Sequence, residues 1–187
     1  MGNAATHKAN LIQAAIRLFR EKGYAATGLN EILAESGAPK GSLYHYFPGG
    51  KDQLGATAVT LAGQVVTRTL QEIDAATEGA EGFVAAYTEL LGGWLEASGF
   101  RAGCPIATTL LETVPASEAI TQAGQEAFSD WIAVVTKVLE DDGVSPSEAR
   151  DHAELLIATV EGALLLARVQ HSTKPLQALS RQLRSIR

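Results

Sequence analysis

The sequence has one cysteine, Cys104, and one methionine, Met1. A single thiol cannot form a disulfide within the chain, and it cannot supply a multi-cysteine metal site. The four histidines, His7, His45, His152 and His171, are scattered and show no spacing that would gather them around a metal ion. No metal or other cofactor is therefore expected. Long apolar runs are absent too. The longest, around Leu155 to Val169, is broken by Glu161 and Arg168, is too short to cross a bilayer, and reads as a buried helix. The first residues lack the charged-then-apolar pattern of a secretory signal, so a cytoplasmic protein without a membrane partner is expected. Nucleophile elbows, phosphate loops and zinc-hydrolase motifs are also missing. A hydrolase using Cys104 or Ser129 with His152 or His171 would have no motif behind it, and the expectation is that the chain is not an enzyme.

What is present is a globular composition. Of 187 residues, 46% are hydrophobic and 19% charged, enough apolar material for a substantial core and too much for a disordered chain. The net charge of −6 argues at first against a nucleic-acid partner, but it is unevenly spread. Residues 1–55 carry six basic residues (Lys8, Arg17, Arg20, Lys22, Lys40, Lys51) against four acids (Glu21, Glu31, Glu35, Asp52), a net of +2 that leaves −8 for the rest. A mildly basic head on an acidic body suits a DNA-binding module joined to a sensor or dimerisation module.

Nearly every segment repeats its apolar residues at helical spacing, and none alternates convincingly with period two. Leu11, Ala15, Leu18 and Phe19 form the stripe of a first helix, with Arg20 and Lys22 in its last turn and Gly23 as its stop. A short helix is predicted from Leu29 to Ser36, capped by Thr27 or Gly28 and stopped by Gly37. A third follows Pro39 and spans Lys40 to Tyr46. The Phe47-Pro48-Gly49-Gly50 stretch breaks the pattern. Longer helices then run from Lys51 to about Ala75, from Phe83 to about Ser98, from Ile106 to Val114 and from Ile120 towards Gly143. Ser145-Pro146-Ser147-Glu148 reads as a capping box with proline in the first helical position, opening a helix that reaches about His171. A last helix carries Leu176, Leu179, Leu183 and Ile186. Residues Met1 to His7 read as a mobile arm. The expected fold is all-α with roughly nine helices: a three-helix head over residues 1–50 and a larger helical body over 51–187.

Three short helices followed by a break have the dimensions of a helix-turn-helix module, whose third helix enters the DNA major groove. The segment Gly37 to Phe47 has the chemistry for that task. Lys40 supplies positive charge, Gly41 permits close backbone approach, and Ser42 is a short donor and acceptor. Tyr44 can donate to phosphate, while His45 and Tyr46 can reach base edges. Leu43 and Phe47, four residues apart, would face the core with Leu18, Phe19, Ile32 and Leu33.

The stretch from Ala14 to Leu54, AAIRLFREKGYAATGLNEILAESGAPKGSLYHYFPGGKDQL, closely resembles the signature of the TetR family. The matching positions are Phe19, Gly23, Tyr24, Thr27, Ile32, Gly37, Lys40, Gly41, Leu43, Tyr44, Phe47 and Lys51. The sequence departs at Pro39, where a capping Ser or Thr is common, and at Gly28. The resemblance implies that Thr27, Lys40, Ser42, Tyr44 and Lys51 hold phosphates. It places Gly41, Ser42, His45 and Tyr46 nearest the bases. It also implies a homodimer on a near-palindromic operator in double-stranded DNA, acting as a repressor released by a small-molecule effector. Phe47-Pro48-Gly49-Gly50-Lys51 and the later Gly103-Cys104-Pro105-Ile106 with Leu111-Glu112 are similar, more distantly, to the branch that regulates multidrug export and flavonoid response.

For the body, helical ligand pockets are mostly apolar with a few placed polar groups. The candidates are Phe83, Tyr87, Trp94, Phe100, Cys104, Phe128 and Trp131, with Glu112 or Glu161 as a polar anchor. Aromatic residues at helical spacing are more often plain core, and only the family resemblance favours a pocket. Cys104 before a proline reads as a small buried hydrophobe, with no cationic neighbour in sequence to activate it. The last two helices are the dimer candidates, through Leu156, Val160, Ala163, Leu164, Ala167, Leu176, Leu179 and Leu183. Apolar residues between Leu155 and Ala167 cover more than one face, which requires burial on two sides. A central helix of a monomer would satisfy the same pattern.

Overall fold

The computed structural model of the protein describes residues 2–183, with side chains placed for 6–182. Among these residues there are nine helices and no strand: α1 (Gly2–Lys22), α2 (Leu29–Ser36), α3 (Lys40–Tyr46), α4 (Gly50–Ala76), α5 (Gly79–Ala97), α6 (Ala107–Thr113), α7 (Glu118–Asp141), α8 (Pro146–Gln170) and α9 (Lys174–Leu183). The all-α fold is as expected. Two local readings need correction. The residues expected as a mobile arm are helical from Gly2 onwards, so α1 is longer than its apolar stripe. Ser145 does stand at the N-cap of α8 with Pro146 behind it, but its hydroxyl is not bonded to the helix backbone. It pairs directly with the Glu148 carboxylate at 2.5 Å.

By compactness the described residues form two units. One comprises residues up to Gln64 together with Cys104–Ala127, and the other comprises Val65–Gly103 with residues from Phe128 onwards. The first unit therefore includes α6, which lies far outside residues 1–50.

The core of the first unit is built on α1, whose buried face carries Leu11, Ile12, Ala15, Leu18 and Phe19. Ile32 of α2, Leu43 of α3, Phe47 behind it and Leu54 of α4 close on that face, each no more than 1% exposed. The turns that aim these helices are locally determined. The backbone of Gly23 has φ +91°, which ends α1 in a conformation L side chains rarely adopt. Gly37 ends α2 in the left-handed region at φ +62°. There the Ser36 hydroxyl donates to the Leu33 carbonyl and accepts the Ala38 N–H, holding the α2–α3 turn. On the outside, Arg17 pairs with Glu35 and Lys22 with Glu31, tying α1 to α2. Both pairs are half-exposed, and pairs of that kind contribute about 0–1 kcal/mol. Apolar burial therefore does most of the work.

In the second unit α5, α8 and α9 pack on one another. Phe83, Tyr87, Leu91 and Leu95 of α5, Trp131 and Val135 of α7, and Leu156, Ile157, Val160 and Leu164 of α8 are all buried. Because Phe47 is buried and joins the short third helix to the core, Phe47→Ala is expected to cost about 3–5 kcal/mol. Urea unfolding of the variant would measure the loss.

Candidate nucleic-acid interface

The α2–turn–α3 segment presents the candidate site. In α3, Leu43 points inward, followed by Phe47, and Tyr46 packs partly against the same core. Lys40, Gly41, Tyr44 and His45 are exposed, with Tyr44 at 57%, while Ser42 and Tyr46 are half-buried. The His45 and Tyr46 rings meet edge to face with centroids 4.9 Å apart. Lys40 makes no ion pair among the described residues. A side chain added at Gly41 would meet nothing within 4 Å, so this glycine is not required by packing inside the protein. Pro39 stands at the N-cap of α3 with no side-chain cap, in the place where the signature commonly has a hydroxyl.

Lys51, in the first turn of α4, lies over the Tyr24 ring at 4.3 Å from its centroid, and Tyr24 packs on Phe19. Partial burial lowers the pKa of Lys51, and the nearby Glu112 carboxylate opposes that shift. Burial raises the pKa of Tyr24, with a smaller contribution from the charge on Asp52.

Not every residue expected at the site can serve there. Thr27 is fully buried, and its hydroxyl donates to the Gly23 carbonyl at 2.7 Å. It therefore shapes the turn before α2 and is not available to a phosphate. The first-turn cap expected from Thr27 or Gly28 is Gly28, with extended backbone and no side-chain bond. Glu112, expected as an anchor in a ligand pocket, is exposed and belongs to the same unit as the head. Its carboxylate accepts the Ala25 N–H at 2.5 Å.

The other ligand candidates fall in the two units separately. Cys104 is buried in the first. In the second, Phe83 and Tyr87 pack with centroids 6.3 Å apart, and Phe128 meets Trp131 edge to face at 5.1 Å. Phe83, Tyr87 and Trp131 are buried, while Trp94, Phe100, Phe128 and Glu161 are half-buried. Phe100 has left-handed backbone, φ +59°, and stacks on His171. An open groove of about 450 Å³ lies between α5 and α9, lined by Thr88, Glu89, Glu96, Gln177 and Arg181 among others. None of the expected ligand residues lines it.

The dimer candidates also need correction. Leu156, Val160, Ala163, Leu164, Ala167 and Leu176 are all buried within their own chain. The apolar side chains that α8 leaves in solvent are Leu155, Leu165, Leu166 and Val169, from 52% to 73% exposed. Leu179 of α9 is half-buried, and the side chain of Leu183 lies outside the described residues. The apolar residues on both faces of α8 were the sequence signal for this second surface, but periodicity could not say which face the chain keeps for itself.

Residues 11–56 match the family model of bacterial regulatory proteins of the tetR family. Residues 73–182 match the C-terminal domain of LmrA/YxaF-like transcriptional regulators. The chain is 36% identical to the HTH-type transcriptional regulator LmrA of Bacillus subtilis over 171 residues, covering 91% of this chain and 90% of that one. It is 25% identical to the HTH-type transcriptional repressor DhaR of a Mycobacterium species, over 89% of this chain and 85% of the other. A TetR regulatory protein from Rhodobacter sphaeroides has the same fold, with a TM-score of 0.83 at 24% identity over 93% of this chain and 95% of that one. With its helix-turn-helix head and matched C-terminal domain, the chain belongs to the TetR family: it is a DNA-binding transcriptional regulator and not an enzyme.

Proposed function

We propose that this regulator is a cytoplasmic repressor that binds a near-palindromic operator as a homodimer and leaves it when a small apolar ligand enters the C-terminal domain. The observation that carries the DNA reading is the outer face of α3. Lys40, Tyr44 and His45 are exposed there, beside a glycine that the packing does not require. Lys40, Ser42, Tyr44 and Lys51 serve phosphates; Gly41, His45 and Tyr46 lie nearest the base edges. Residues 1–50 act as the reading head and 51–187 as the sensing and dimerising body.

Dimerisation is supported by the exposed apolar stripe of α8, which a lone chain would leave in water. A homodimer of a helix-turn-helix protein reads two half-sites about one helical turn, ~34 Å, apart. The ligand reading rests on the aromatic side chains of α5 and α7, Phe83, Tyr87, Trp94, Phe128 and Trp131, with Phe100 and Glu161 of the same unit in support. Relatives whose names describe them as repressors favour repression over activation.

Binding to duplex fragments from around the protein's own gene, across a salt series, tests the central reading. Saturable binding above that to random DNA, weakening as salt rises, is expected. No salt-sensitive binding even to random duplex would refute it. Gly41→Ala should leave thermal stability unchanged or raise it by up to about 1 kcal/mol, since alanine favours helix. The same change should weaken operator binding at least tenfold by obstructing close approach. In sedimentation or light scattering, Leu165→Glu with Leu166→Glu should convert a dimer into a folded monomer. An unaffected dimer would place the interface elsewhere.

A further inference from the structure

Glu112 is the second-to-last residue of α6 and lies 87 residues from its partner, the Ala25 N–H of the turn between α1 and α2. That amide is one of the donors left without a helical acceptor between the two helices, and a carboxylate is the strongest acceptor a side chain can offer it. The other carboxylate oxygen lies against Gly23, where a Cβ would overlap it. Gly23 is confined to glycine by its φ of +91°, and the carboxylate end lies in the space beside its Cα. The same turn carries Tyr24, whose ring supports Lys51, and the Glu112 charge is felt at the Lys51 ammonium. One side chain from α6 therefore acts on two parts of the head: the turn that leads into α2, and the cation at the start of α4.

The placement is informative because it is electrostatically adverse for DNA binding taken alone. A surface meant only to attract phosphate would not keep an exposed carboxylate bonded to the turn whose Tyr24 ring supports Lys51. We propose that Glu112 is a positioning residue for DNA binding: it holds the α1–α2 turn through the Ala25 N–H and offsets part of the Lys51 charge, restraining sequence-independent attraction to phosphate. This inference rests on the reading of the head as the DNA-binding surface.

The two roles separate by substitution. Glu112→Gln keeps an oxygen to accept the Ala25 N–H but removes the charge. It should bind a random-sequence duplex at low salt about three- to tenfold more tightly than the wild type, with a steeper salt dependence. That gain should vanish in a Lys51→Ala background. Glu112→Ala also removes the acceptor, and should speed hydrogen exchange at the Ala25 amide at least tenfold while Glu112→Gln leaves it slow. If wild type binds random duplex but Glu112→Gln matches it with and without Lys51, or if Glu112→Ala leaves Ala25 exchange unchanged, the inference fails. If wild type itself shows no salt-dependent binding, the failure lies with the DNA reading.

Discussion

A helix of seven residues has almost no stability of its own in water, because nucleating it fixes several residues for very few hydrogen bonds. The third helix, α3, is that short. It persists because Leu43 within it and Phe47 behind it are buried against α1 and its neighbours. The four-residue spacing of those two side chains also sets the rotation of the helix. Once they point inward, Lys40, Gly41, Tyr44 and His45 have to point out. The chemistry of the exposed face is thus a consequence of core packing, and the same burial that forms the helix aims it.

Charge in the head is arranged with equal economy. Of its basic residues, Arg17 and Lys22 are engaged with carboxylates across the α1–α2 seam, which leaves the excess positive charge to fewer positions than composition suggests. Lys51 sits between the Tyr24 ring and the field of Glu112. Lys40 remains open on the reading helix. The net +2 of the first 55 residues is therefore a poor guide to where a phosphate would be attracted. What matters is which cations lack an internal partner.

The helical architecture was legible because its signals are local. Gly23, Gly37 and Gly143 mark helix ends, and Pro146 marks a start, whatever else the chain does. The face of α3 was legible for the same reason, since a seven-residue helix with Leu43 inside it and Phe47 just behind it has one way to bury both. A threonine hydroxyl can serve a phosphate or its own turn, and the 2.7 Å bond from Thr27 to the Gly23 carbonyl is a tertiary fact that sequence does not show. The partner of Glu112 is a backbone amide 87 residues distant, which no side-chain pattern announces.

By itself, then, the sequence determined the helices, most of their ends, the inward residues of the head and the family signature, all of which depend on contacts within a few turns. The tertiary structure decided what depends on long-range packing. It set α6 against α1, so that Glu112 belongs with the head. It also turned Leu156, Val160 and Leu164 inward while leaving Leu155, Leu165, Leu166 and Val169 in solvent. A helix apolar on two faces carries no mark of which face its own chain will cover, because hydrophobic burial has no direction until the neighbouring helices are in place.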